Sequence, residues 1–327
     1  MEKNCIRCSS PVRGGRCPVC GFDCSDELEQ VNLTAGVVLD DRYVIGKVIG
    51  SGGLGVTYLA YDTELEKSVA IKEYYPKNVA VRAADNVTLE PLTSMQAAEF
   101  ERGRDNLEKE AEILSELGNE TDIIKIFNTF RQNGTIYYVM EYVHGMTLKE
   151  YSGKNGKITE GQALHIALYI ASAFSHIHSR GIIHRDLAPD NVMITVDGKI
   201  KLVDFGNARP FGDGENSMTV ALKQGYAPLE QYQHHGKHGP WSDIYSLGAV
   251  LYYGLTLKTP EDPMSRLDND MEFQNGLAGI TMGLRAVINR MSSVKISERY
   301  QNSEELMEAL REMDIKVEGF EIVDSKE

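Results

Sequence analysis

Three side chains within nineteen residues have the types and spacing for phosphate and metal chemistry: Asp186, Asn191 and Asp204. An amide carbonyl and a carboxylate are hard oxygen donors that suit a divalent cation such as Mg²⁺ or Mn²⁺. A carboxylate beside a metal-bound phosphate can accept the proton of an incoming hydroxyl, and that is the work open to Asp186. The element that must position them is a hairpin centred on Asp197-Gly198, a dipeptide suited to a two-residue turn because both positions tolerate positive φ. Apolar, partly β-branched runs flank it, Val192 to Thr195 and Ile200 to Val203. Counting outward pairs Val196 with Lys199, Met193 with Leu202, and finally Asn191 with Asp204, so two oxygens are expected to meet at the open end. Pro189 is expected to keep the preceding loop out of a helix.

The chain has 327 residues, enough for a large core and a small extra module, with ordinary apolar and charged fractions. Its formal net charge of −14 argues against nucleic acid as a main partner. Ala163 to Phe174 is the most apolar stretch, and it is too short and too polar, at His165, Tyr169 and Ser172, to cross a membrane. The first residues lead into cysteines rather than an apolar signal core, so the chain is expected to be cytoplasmic.

Taken together, His184-Arg185-Asp186, Asn191 and Asp204-Phe205-Gly206 resemble the catalytic and magnesium loops of the protein kinase superfamily, in its bacterial, eukaryote-like (Hanks-type) serine/threonine branch. The resemblance implies an α+β, two-lobed fold, with a small antiparallel β lobe over 43–145 and a larger helical lobe over 146–312. An acidic tail, 313–327, follows, and a zinc-ribbon-like knuckle (1–25) and a linker (26–42) precede. It also implies ATP as substrate and Mg²⁺, or Mn²⁺, held by Asn191 and Asp204.

Further motifs arrive in the order this family requires. Gly50-Ser51-Gly52-Gly53-Leu54-Gly55 is followed by a strand-like run, not a helix, which is the arrangement in which backbone N–H groups close over phosphates. The valine usual after the last glycine falls on Thr57. Val69-Ala70-Ile71-Lys72 implies a strand whose Lys72 reaches the α- and β-phosphates. Its partner is sought on the helical stretch 100–117, among Glu108, Glu110 and Glu112; Glu110 fits the pattern L-x-x-E-x-x-x-L. Strand-like runs over 123–130 and 135–139 surround Asn133-Gly134. The next stretch resembles the hinge, where backbone groups of Glu141 and Val143 would bond the adenine edge with Met140 behind. Ile49, Thr57, Ala70 and Met193 would line an apolar slot. The connection 74–95 is longer than needed and has no assigned role.

In the helical part, Thr159-x-x-Gln162 is a capping box opening a buried helix that ends at Gly181, and His165, His176 and His178 read as structural. Glu230 is expected to pair with Arg299, and Asp243 to brace the catalytic loop from a central helix beginning near Trp241. His234, His235 and His238 stand in a glycine-bearing, solvated loop, and Ser217 and Thr219 are phosphorylation candidates. One departure is chemical. The lysine that Ser/Thr kinases place two residues after the catalytic aspartate is Ala188 here. Lys223, where those kinases put a threonine facing that aspartate, is either a substitute cation carried by a mobile loop or an ordinary surface lysine.

All five cysteines lie in the first 24 residues. Cys5, Cys8, Cys17 and Cys20 form two C-x-x-C turns with the spacing of a closed tetrahedral Zn²⁺ site, with Cys24 spare or replacing Cys20. This segment is expected to contact a protein partner. The leading function is therefore transfer of the γ-phosphoryl of ATP to serine or threonine hydroxyls of proteins, autophosphorylation included, with Asp186, Lys72, Glu110 and Lys223 as catalytic candidates. A pseudokinase scaffold, favoured by Ala188, is the alternative. A zinc-dependent nucleic-acid binder is disfavoured by the acidic charge.

Overall fold

In the computed structural model the described residues are 3–4, 11–12, 32–117, 122–205, 208–210, 222–233 and 236–322. The five cysteines, Gly206, Ser217, Thr219, His234 and His235 lie outside them. The chain divides into two compact units, Met1–Gly118 with Lys125–Tyr142, and Asn119–Ile124 with Val143–Glu327. Among the described residues no helix is long and apolar enough to cross a membrane.

In the first unit β1 (Lys3–Asn4) and β2 (Pro11–Val12) pair antiparallel. The main sheet is antiparallel, in the order β3 (Val38–Leu39), β4 (Tyr43–Ser51), β5 (Gly55–Asp62), β6 (Lys67–Tyr74), β10 (Thr135–Glu141) and β9 (Ile126–Gln132). A short hairpin, β7 (Ala80–Arg82) and β8 (Leu89–Pro91), and helix α1 (Ala97–Glu116) lie between β6 and β9 in the chain. Asn133 and Gly134 have φ of +53° and +72°, as a primed hairpin turn requires, and this turn fixes the β9–β10 register. Helix α1 buries Phe100, Leu107, Glu110, Ala111 and Leu114, one face at helical spacing. It approaches the Tyr74 ring at the end of β6 so closely that a Cβ at Gly103 would stand 1.7 Å from Tyr74 Oη and force that ring to move.

The stretch expected to run as a linker into the first strand is packed from Leu33 onward. Leu33 and Leu39 are buried, and the Leu33 N–H donates to Tyr58 Oη at 3.0 Å. The connection 74–95, which carried no sequence assignment, holds the β7–β8 hairpin. Its Arg82 forms a buried, two-pronged pair with Glu73 at 2.7 and 3.2 Å, and the Tyr58 and Tyr137 hydroxyls each donate to the same carboxylate at 2.8 Å. Burial, and then the Glu73 charge, push both phenols well above their ordinary pKa, so they remain donors.

In the second unit β11 (Gly145–Thr147) leads into α2 (Leu148–Asn155) and α3 (Glu160–Ser179). The Thr159–Gln162 box caps α3, and Gly181, at φ +73°, follows its end. After β12 (Ile182–Ile183), strands β13 (Val192–Thr195) and β14 (Ile200–Leu202) form the hairpin, and β15 (Arg209–Pro210) pairs with β12. Helices α4 (Pro240–Thr256), α5 (Pro263–Asp268), α6 (Met271–Gly276), α7 (Met282–Met291) and α8 (Ser303–Arg311) complete the unit. α4 is almost wholly buried, and α3 packs on α4 and α8.

The hairpin register differs from the expected one by a residue. Val192 faces Leu202, Met193 faces Lys201 and Ile194 faces Ile200. The cause is the turn. Asp197 does not adopt positive φ; only Gly198 does, at +77°, and the Gly198 N–H donates to Thr195 O at 2.9 Å. This is a three-residue loop with glycine in its left-handed position, in place of a primed two-residue turn. Asn191 therefore faces Val203, whose N–H donates to Asn191 O at 3.0 Å, and Asp204 stands one residue beyond, at φ +66°. Pro189 also acts otherwise than expected: it opens a 3₁₀ turn over Pro189–Asn191, since its fixed φ suits the first position of a helical turn.

Candidate active site

In the first unit, Lys72 lies on β6 with Thr57 of β5 on one side and Tyr138 of β10 on the other. Its Nζ is 3.2 Å from Glu110 Oε1, and Tyr138 Oη donates to the same oxygen at 2.9 Å. Of the alternative glutamates, Glu108 instead reaches Arg131, at 2.5 Å. Strand, turn and strand carry the glycine-rich segment: Gly50 faces Thr57, Ser51 faces Val56, and Gly52 N–H donates to Gly55 O at 2.9 Å. Lys77 Nζ, from the connection after β6, donates to Ser51 Oγ at 3.1 Å. Ala70 is buried opposite Met140, whereas Ile49 is 40% exposed and Thr57 half-buried. The Glu141 N–H donates to Lys125 O at 2.9 Å.

In the second unit the loop from His184 to Asn191 is fixed by Asp243 on the buried helix α4. Its carboxylate accepts from the backbone N–H groups of His184 and Arg185, both at 2.8 Å, and lies 2.8 Å from His178 Nε2. Gln231 Nε2 donates to Arg185 O at 3.1 Å. These contacts surround a strained backbone: Arg185 has φ +65°, a region costly for a residue with a Cβ. His178, read from sequence only as structural, is thus part of the brace. Nothing in its helical position announces that; only the fold brings it to Asp243.

Burial holds Asp243 in opposition to its neighbours: desolvation raises its pKa, but the His178 hydrogen bond and the Arg185 N–H more than offset this and leave it lowered. His184 is enclosed, and burial pushes its pKa down to about 4. The ring is therefore neutral at pH 7. Its Nδ1 lies 3.3 Å from the Asp186 N–H, and its face meets Phe205 edge-on at 4.7 Å.

Asp186 Oδ1 lies 3.2 Å from Lys223 Nζ. Asn191 is buried, and its Nδ2 donates to Asp186 O at 2.7 Å, which turns the amide so that Oδ1 is the atom left to accept or ligate. An amide oxygen with the Asp204 carboxylate is the kind of donor set Mg²⁺ takes when substrate phosphates and water complete its shell. Among the described residues no group of three or more His, Cys, Asp or Glu could hold a metal by itself. Met193, on β13, and Val143 are half-buried. Arg185, Leu187, Leu222, Tyr226, Ala227 and Ser246 line a small cleft with Asp186 and Lys223. Glu230 and Arg299 form a buried pair at 2.7 and 3.1 Å.

The protein kinase domain family matches residues 43–316. Serine/threonine-protein kinase D of Synechocystis sp. is 32% identical over 285 residues, 84% of this chain and 52% of that protein. PrkC of Bacillus subtilis, a serine/threonine-protein kinase, is 34% identical over 235 residues, 70% of this chain and 33% of that one. The chain spans about half the length, or less, of the first curated relatives it matches. A solved structure, the apo form of PpkA-294, is similar with a TM-score of 0.76 at 30% identity, covering 86% of this chain and 99% of that chain. The match includes both the sheet that carries Lys72 and the braced loop that carries Asp186, and the chain belongs to the protein kinase domain family.

Proposed function

We propose that this chain is a serine/threonine protein kinase, transferring the γ-phosphoryl of ATP to hydroxyls of proteins and of itself. The single observation that supports this most is the 3.2 Å contact between Lys72 and Glu110 on adjoining elements of one unit. Such a pair holds the ammonium extended toward phosphate oxygens, where an unpaired lysine would sample many rotamers. In that reading Lys72 binds the α- and β-phosphates, with Gly50, Ser51, Gly52, Gly53 and Gly55 offering backbone N–H groups. Ile49, Thr57, Ala70, Met140 and Met193 contact the base, and Glu141 and Val143 take its polar edge. Asp186 accepts the hydroxyl proton while Asp243 and Asn191 hold its loop. Asn191 and Asp204 would hold Mg²⁺, which when bound neutralises charge on the transferring phosphoryl.

The reading extends to a cytoplasmic protein with a zinc knuckle made by Cys5, Cys8, Cys17 and Cys20 that contacts a protein partner. The β1–β2 pair flanks Cys5 and Cys8 in the chain, as a knuckle hairpin would. Metal analysis of the full chain checks this part; absence of zinc is the contrary result.

A scaffold that binds nucleotide without efficient transfer rests on Ala188 alone. Incubation with γ-labelled ATP, Mg²⁺ and a panel of protein acceptors separates the two. Label recovered in phosphoserine or phosphothreonine is the expected result; nucleotide bound with no label transferred supports the scaffold.

A further inference from the structure

We propose that Lys223 is a catalytic residue, supplying the cation that the catalytic loop lacks at Ala188. The inference rests on the kinase reading and deepens it. Ala188 is 1% exposed and carries no charge, so the loop itself offers no ammonium beside Asp186. Lys223 Nζ stands there instead, 3.2 Å from Asp186 Oδ1 and 3.5 Å from Asp186 O.

Lys223 opens a hydrogen-bonded turn. Its carbonyl accepts from both Tyr226 N and Ala227 N at 3.0 Å, closing a tight turn. Ser246, on the buried helix α4, donates to Tyr226 O at 2.9 Å. Gly225 completes the turn at φ +81°, where a Cβ would stand 2.5 Å from Pro260 O. The Ser246 hydrogen bond ties the turn to the buried helix that also holds the Asp186 loop through Asp243. The ammonium is therefore preorganised, which is the condition under which a fixed charge stabilises a transition state without reorganising.

During transfer, the acceptor hydroxyl oxygen forms a bond to the γ-phosphorus as the bond to the β,γ-bridging oxygen breaks. The electron pair leaves with ADP, and the hydroxyl proton passes to Asp186. Lys223 keeps its own proton throughout. It donates to an equatorial oxygen of the phosphoryl in flight while holding Asp186 in place.

The test measures steady-state transfer from MgATP to a protein acceptor by the full chain. For Lys223→Ala we expect turnover to fall about 100-fold or more, the loss typical of one transition-state donor, with KM for ATP changed less than about threefold. Because the cation rather than the fold is missing, ethylammonium or propylammonium added to Lys223→Ala should restore turnover saturably, by tenfold or more. Adding Ala188→Lys to Lys223→Ala is the second route to rescue. Unchanged or increased turnover in Lys223→Ala would overturn the proposal; an increase would mark the lysine as a plug on Asp186. So would a loss that neither the amines nor Ala188→Lys relieves. A wild-type chain that transfers no phosphoryl at all would instead sink the kinase reading itself.

Discussion

Three contacts at Asp243 explain how a loop with strained backbone keeps one shape. The carboxylate meets His184 N–H, Arg185 N–H and the His178 ring within 2.8 Å, and all three partners lie on segments of the same unit. His184 contributes through its neutrality. With its pKa near 4 in the folded chain and about 6.5 when unfolded, it binds fewer protons folded than unfolded between those values. The stability it contributes is thus fully present above pH 6.5 and is lost as pH falls toward 4. Between pH 7 and pH 5 this amounts to about 2 kcal/mol. Urea unfolding at both pH values should show His184→Asn losing about that much less than wild type on acidification; an equal loss in the two proteins would contradict the assignment.

At the scale of elements, much of the site was legible because short, strongly patterned segments carry it. The V-A-I-K strand, the Glu110 helix face and the Thr159 capping box each depend on local spacing, and local spacing survives folding. The hairpin register was not legible. Asp197-Gly198 is equally compatible with a two- and a three-residue loop, and the choice turns on whether one residue, Asp197, adopts positive φ. The β7–β8 hairpin was illegible for a different reason: its anchor, Arg82 on Glu73, joins residues nine apart, a spacing that matches no helix or strand period.

That anchor has a measurable consequence. Arg82→Met leaves a fully enclosed carboxylate without its counter-charge and should cost about 3–5 kcal/mol of stability. Adding Glu73→Gln removes the stranded charge while an amide oxygen still accepts from Tyr58 or Tyr137, so the double variant should regain about 1 kcal/mol or more. Denaturant midpoints report both; a loss below about 1 kcal/mol for Arg82→Met would mean the pair is not the hairpin's anchor.

For the whole molecule, each of the two units carries part of the motif set: an ion-paired lysine and a glycine-rich turn in the first, and a braced aspartate followed by Asn191 and Asp204 in the second. Sequence reading placed the family correctly because these motifs recur along the chain in a fixed order, over residues 43–316. As the proton acceptor, Asp186 should be needed for transfer and not for nucleotide capture. The most direct measurement takes MgATP affinity by titration and single-turnover phosphoryl transfer on the same preparations of wild type and Asp186→Asn. With Asp186 in that role, affinities should lie within about threefold of each other and transfer should fall by about 100-fold or more in the variant. Equal transfer by both proteins, or no binding of MgATP by wild type, would contradict it.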